Sequence, residues 1–213
     1  MPNVDALLTP RQLYGGAMTI SLPDKFADVS GMRQIPDHQE VFVNQANDQS
    51  FMVDLLQYQS HVQGADAARF HFNEIAECNN AVDKSTVTEI VALAPDDIPG
   101  LDPLLEKWLL CGQQAVAKYK EEDKDGDAAR NAVMIYLLLV RLPAFTTDIV
   151  VTFNDPVFIS QTSSSMPHST DTDQFLGERM QLPLFKLALR SLAINDYGLF
   201  GQDEADDDSS MQS

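Results

Sequence analysis

Asn131-Ala132-Val133-Met134-Ile135-Tyr136-Leu137-Leu138-Leu139-Val140-Arg141-Leu142 is the stretch on which the fold turns. Its apolar core, Ala132 to Val140, is nine residues long, too short for a bilayer-spanning helix and the right length for a strand. A strand so nearly apolar throughout has to be covered on both faces, so the run predicts a sheet with helices packed on either side. Pro143-Ala144-Phe145 follows, then the β-branched and aromatic segment Thr146 to Phe153, and so short a connection predicts an antiparallel hairpin. Thr86 to Leu93 and Trp108 to Tyr119 read as further strands by the same composition. The fold class expected is α/β, a sandwich around a largely antiparallel sheet.

Towards the N-terminus, residues 1–12 carry two prolines and no period, and read as a flexible arm. Leu13 to Ile20 reads as a strand in which Gly15-Gly16 marks a bend or a close approach. Pro23 to Gly31 reads as a turn with a short helical piece, Gln34 to Gln39 as a loop around Pro36, and Glu40 to Asn44 as a short strand. A helix is expected from Asp48 or Ser50 to Gln63, with Met52, Leu55, Leu56 and Val62 inward and Asp54, Gln57, Tyr58 and His61 on the other face. Ala67 to Ile75 fits a helix or a strand. Near the C-terminus a helix is expected over Pro183 to Ile194, with Phe185, Leu189 and Leu192 on one side. Ser160 to Asp173 has the composition of an exposed loop. The tail from Gly201 to Ser213 holds five acids and no base, and reads as disordered. One domain, 13–200, is expected between arm and tail.

The chain has 213 residues, 44% of them hydrophobic, which excludes a disordered polymer. Its 32 acids against 14 bases give a formal charge of -18, which argues against nucleic-acid binding and favours basic protein partners. Cys78 and Cys111 lack metal or redox spacing and read as buried reduced thiols. The histidines His38, His61, His71 and His168 form no zinc pattern, so neither a metal nor a cofactor is expected. The acidic run Asp123-Lys124-Asp125-Gly126-Asp127 opens like a calcium loop. However, it has Ala128 where the bend needs Gly and Met134 where a bidentate Glu is needed, so it reads as a solvated hairpin turn. The motifs of serine hydrolases, P-loop NTPases and dinucleotide enzymes are missing. No signal core or transit pattern is read near Met1, which points to nucleus and cytoplasm.

Between Ser21 and Ser60 stand the acids Asp24, Asp28, Asp37, Glu40, Asp48 and Asp54 against the bases Lys25 and Arg33: a solvated face, or a docking surface for a basic partner. Within and around this region, Leu13-Tyr14-Gly15-Gly16-Ala17, Asp28-Val29-Ser30, and Arg33-Gln34-Ile35-Pro36-Asp37-His38-Gln39-Glu40-Val41-Phe42-Val43 follow one another, with Asp48-Gln49-Ser50 and Val53-Asp54-Leu55-Leu56 after them. Arg141-Leu142-Pro143, Thr147 to Asn154 and Leu199-Phe200-Gly201 complete the pattern. In order and spacing it resembles the Ran guanine nucleotide release factor family.

The resemblance implies a PsbP-like α/β/α sandwich with a six- or seven-stranded sheet. It implies a non-catalytic, monomeric protein of nucleus and cytoplasm that binds the GTPase Ran, promotes nucleotide release and supports nuclear import. It also implies Ran contact by Asp54 and by Gln57, a position where the family usually has Glu. Glu40, Asp37 and Asp28 are further candidates from the matched blocks. The alternative reading of Asp54 is a first-turn acid that suits the helix dipole. Two other readings stay open: an adaptor that brings a membrane channel protein, such as a sodium channel, to the cell surface, and a PsbP-like lumenal protein, against which the Arg33–Val43 block speaks.

Overall fold

The computed structural model describes residues 8–32, 34–117, 130–158 and 182–201. The 160–173 loop, the 120–129 turn and the acidic tail beyond Gly201 lie outside the described residues.

Arg130–Leu142 is strand β8, next to the central strand of a seven-stranded sheet ordered β3-β4-β5-β9-β8-β7-β6. Its neighbours are β9 (Thr147–Phe158) and β7 (Glu106–Ala117), both antiparallel, with Leu139 opposite Trp108 on one side and Val150 on the other. β6 (Ser85–Ala92) forms one edge. On the other flank lie β5 (Gln49–Gln57), β4 (Gln39–Asn44) and the two-residue β3 (Ala27–Asp28). Every pairing is antiparallel, as the sequence implies.

The alternation along β8 divides the core in two. Ile135, Leu137 and Leu139 face helix α1 (Ala65–Cys78) and pack with its Ala67, Ala68 and Phe72. Leu138, Val140 and Leu142 face the opposite layer, where Phe26, Ile98 and Phe185 close over Phe51, Val53, Val151 and Phe153. That layer contains helix α2 (Leu182–Arg190) and a small sheet β1-β2-β10, formed by Leu8–Leu13, Met18–Pro23 and Ala193–Ile194. Side chains of the two layers interlock at fixed distance because apolar interiors pack at crystal density.

α1 sits so close to the sheet that β7 carries Gly112 beneath Phe72. A Cβ there would lie 2.6 Å from two Phe72 ring carbons and 2.9 Å from the Thr86 carbonyl oxygen. Gly112→Ala is therefore expected to cost about 1–3 kcal/mol of overpacking. Thermal unfolding followed by circular dichroism should show a midpoint several degrees lower.

Several expectations are corrected. The helix expected over Asp48 or Ser50 to Gln63 is instead β5, and a helix follows only at Ala65. Met52, Leu55 and Leu56 fit a helical stripe, but Phe51, Val53 and Leu55 alternate equally well, and pairing with both β4 and β9 decides in favour of the strand. Asp48 adopts φ 55°, the left-handed geometry of a hairpin turn rather than the extended geometry of a helix cap. The strand read over Leu13 to Ile20 is broken at Tyr14–Gly16, whose φ angles are 50°, 66° and 96°, so the two glycines do mark a bend. The arm over 1–12 gives way from Leu8 onward to β1, which pairs with β2 along its whole length. In place of the helical piece over Pro23 to Gly31 there is a turn and β3. α2 ends at Arg190, because Ser191 Oγ donates to the Ala188 carbonyl and accepts from the Ser21 amide, and the chain then pairs with β2. Cys78 is exposed rather than buried, while Cys111 is buried and its thiol is pushed up to about 11, by burial first and then by the charge of Glu89.

Candidate partner-binding site

The Gln34–Val43 block leads into β4 beside the end of β5, and the polar groups meet where the two strands begin and end. Gln39 stands opposite Asp54, and its Nε2 donates to Asp54 Oδ1 at 2.6 Å. The Leu55 amide donates to the His38 carbonyl at 2.8 Å and continues the ladder one step further. Tyr14 closes the same end from the small sheet. Its amide donates to Glu40 Oε1 at 2.7 Å, and its hydroxyl lies 2.7 Å from the Val53 carbonyl and 3.1 Å from that of His38. A tyrosine at positive φ is uncommon, and here two charged or polar anchors hold it in place.

Electrostatically this end is acidic and partly dry. Burial pushes the Asp54 carboxyl above its ordinary value, although the Gln39 hydrogen bond and the nearby His38 pull the other way. Burial also raises the Tyr14 phenol, and the charges of Asp54 and Glu40 add to it. Asp54 thus holds its charge at a cost in solvation, within reach of the surface.

The sequence-derived candidates separate accordingly. Asp54, Glu40 and Asp37 gather at this end of the sheet, with Asp37 exposed in the turn before Gln39. Asp54 pairs with Gln39 and Glu40 with Val53, so the two carboxylates sit on opposite faces of the sheet. Gln57 is the last residue of β5, exposed, opposite Thr147. The helical face that was to join it to Asp54 does not exist, because three residues along a strand point side chains to opposite sides. Asp28 lies on β3 opposite Phe42, about 10 Å along β4 from Gln39 at strand rise, with its Oδ1 accepting from the Ser30 amide.

A second polar cluster was missed by sequence reasoning. Arg141 and Asp148 face each other across the β8–β9 hairpin, 1% and 0% exposed, with Arg141 Nε 3.0 Å from Asp148 Oδ1. Arg141 also donates to the carbonyls of Gln59 at 2.6 Å and Val62 at 2.8 Å, and its guanidinium lies 4.2 Å from the centre of the Tyr58 ring. Asp148 Oδ2 accepts from the Gln59 amide at 3.1 Å and lies 3.1 Å from His71 Nε2 on α1. Burial raises the Asp148 carboxyl, but hydrogen bonds from His71, Arg141 and the Gln59 amide, with the Arg141 charge, more than offset it and hold the group below the ordinary carboxylate range. The signal was available: one cation and one anion stand on either side of the Pro143–Phe145 turn, Arg141 at the end of an apolar run and Asp148 at the start of Ile149-Val150-Val151. Among the described residues no three His, Cys, Asp or Glu side chains are placed to hold a metal ion, and no helix is long and apolar enough to cross a membrane.

Residues 11–156 match the model of a family described as "Ran-interacting Mog1 protein". A Ran guanine nucleotide release factor of Danio rerio is 42% identical over 192 residues, 90% of this chain and 99% of the relative. The nuclear import protein mog1 of Schizosaccharomyces pombe is 31% identical over 194 residues, 89% of this chain and 98% of that one. Among solved structures, the Ran-binding protein Mog1p of Saccharomyces cerevisiae superposes with a TM-score of 0.62 at 23% identity, covering 91% of this chain and 98% of its own. A cyanobacterial PsbP from Synechocystis superposes at 0.50 with 11% identity, covering 89% and 93%. The two superpositions bear out the PsbP-like sandwich, and none of the four names points to a channel adaptor.

Proposed function

The chain belongs to the Ran-interacting Mog1 family, and from that premise we propose that it binds the GTPase Ran and promotes release of its guanine nucleotide, in support of nuclear import. The observation that carries this reading is the identity of 42% across nearly the whole of a Ran guanine nucleotide release factor. No bond needs to be made or broken by such a protein, and we assign it no catalytic residue. Its action is linkage: a partner that holds nucleotide-free Ran more tightly than loaded Ran weakens nucleotide binding by the same factor.

We place the Ran-facing surface at the β4–β5 end, with Asp54, Glu40 and Asp37 as its acids and Gln57 at its margin. Carboxylates set on a rigid sheet suit a GTPase whose phosphate site presents lysine and backbone amides. Asp28, on the edge strand, is a peripheral member. The protein would act as a monomer in nucleus and cytoplasm.

The test is release of a fluorescent guanine nucleotide from purified Ran. Addition of this protein should accelerate release in a dose-dependent way, and a rate unchanged at saturating protein would sink the proposal. The charge of -18 adds a second expected result: association should slow markedly between low salt and about 0.5 M, as steering is screened over about a 10 Å Debye length at 0.1 M. Stopped-flow association rates that do not change with salt would remove the electrostatic part and leave the rest.

A further inference from the structure

We propose that Arg141 and Asp148 are positioning residues for the partner-binding surface, acting through the segment from Tyr58 to Val62; this rests on the Ran reading above. β5 carries Asp54 and Gln57 and passes into α1 through residues 58–64, which have no regular structure of their own. A connection of this kind would ordinarily be free to move relative to the sheet.

Here the buried pair fixes it by its backbone. The fork of Arg141 takes the carbonyls of Gln59 and Val62, and Asp148 takes the Gln59 amide. The Tyr58 amide, in turn, donates to the Thr146 carbonyl at 2.8 Å, in the turn between the two charged residues. Both ends of the segment are thereby referred to one hairpin, and Gln57 is held one residue from the first of these bonds. His71, from the far side of the segment, completes Asp148.

A buried ion pair is a weak device for stability, because desolvation consumes much of the attraction. Arg141 spends four hydrogen bonds on fixing loop backbone and the Asp148 carboxylate, a geometry that a lysine, with a point charge, does not reproduce. The arrangement is therefore specific for the loop's position in a way that burial alone does not require. Its residues are nearly inaccessible, so any effect on Ran must pass through the segment they hold.

The experiment compares the full-length wild type with Arg141→Lys in nucleotide release from Ran, titrating the factor, together with amide hydrogen exchange. The expected result is faster exchange at Gln59 and neighbouring amides with β7–β9 still protected. The half-saturating concentration should rise about tenfold with the saturating rate little changed. A variant with the loosened segment, a protected core and wild-type half-saturation would overturn the proposal while leaving the Ran reading standing. If the wild type itself fails to release nucleotide, both fall together. Should Arg141→Lys not fold, His71→Leu removes one bond to Asp148 from a position no partner can touch. The same two outcomes then decide: weakened half-saturation with a protected core supports positioning, and an unchanged value with faster Gln59 exchange overturns it.

Discussion

Asp148→Ala is expected to destabilise the protein by about 3–5 kcal/mol, the range seen when one partner of a buried ion pair is removed. The loss has little to do with the attraction itself. Arg141, 1% exposed, would keep its charge with no anion beside it, and the Gln59 amide and His71 would each lose an acceptor. For a chain of this size that is a fall of roughly 10–15 °C in the thermal midpoint. Arg141→Met combined with Asp148→Leu should lose much less, because no uncompensated charge remains. A single variant no less stable than the double would contradict this account. The pH dependence follows with a definite sign. The native carboxyl lies below its ordinary value, so between the native and unfolded pKa values the unfolded chain binds more protons. The stabilisation is full above about pH 4, the unfolded value, and is lost as pH falls below it.

Asp54→Asn is expected to weaken Ran binding by about thirtyfold, or 2 kcal/mol, while leaving the thermal midpoint unchanged or higher. The asparagine keeps an oxygen for Gln39 Nε2, so the β4–β5 end is preserved. The charge is what disappears, and the charge is held against the local environment: burial raises the Asp54 carboxyl, the reverse of Asp148. With a raised native pKa the native state binds the proton more tightly, so stability from this group falls as pH rises above about 4 and stays reduced at neutrality. Removing it relieves the fold and impoverishes the surface. Calorimetric titration against nucleotide-free Ran, alongside a melting curve, separates the two. Undiminished affinity would move the Ran-facing surface away from this end of the sheet.

The strands richest in apolar residues were legible because their patterns admit one reading. β8 has no polar face for a helix to show, and β9 follows it after a connection too short for anything but antiparallel pairing. β5 was not legible. Phe51, Val53 and Leu55 at period two and Met52, Leu55 and Leu56 at helical spacing are carried by the same few residues, and only β4 and β9 on either side break the tie. The error passed straight into the candidate site, since a helix would have set Asp54 and Gln57 side by side. Motif order located Asp54, Glu40 and Asp37 in one region, but it could not show that Tyr14 bridges from the small sheet to Glu40 and to the Val53 carbonyl, because those contacts span 26 and 39 residues. The α1 assignment stayed open for a related reason. Its alanines at 67, 68 and 76 are small enough to lie flat on the sheet, and so add little to any periodic signal.

The Tyr14–Gly16 turn is completed from the other end of the chain. Asn195 donates its amide to the Ala17 carbonyl at 2.8 Å and its side-chain Nδ2 to the Gly16 carbonyl at 3.0 Å, while Ala193 and Ile194 pair with Thr19 and Met18. These contacts join residues some 180 positions apart and are among the most costly in loop entropy that the fold makes. During synthesis, β1 and β2 emerge first and can form only a two-stranded hairpin, marginal by itself in water. At about 5–20 residues per second they wait on the order of ten seconds or more for their third strand to leave the ribosome. The turn that carries Tyr14 is thus made well before the strand that completes it, so a nascent chain already holding most of its large sheet still lacks the finished turn beside its acidic end.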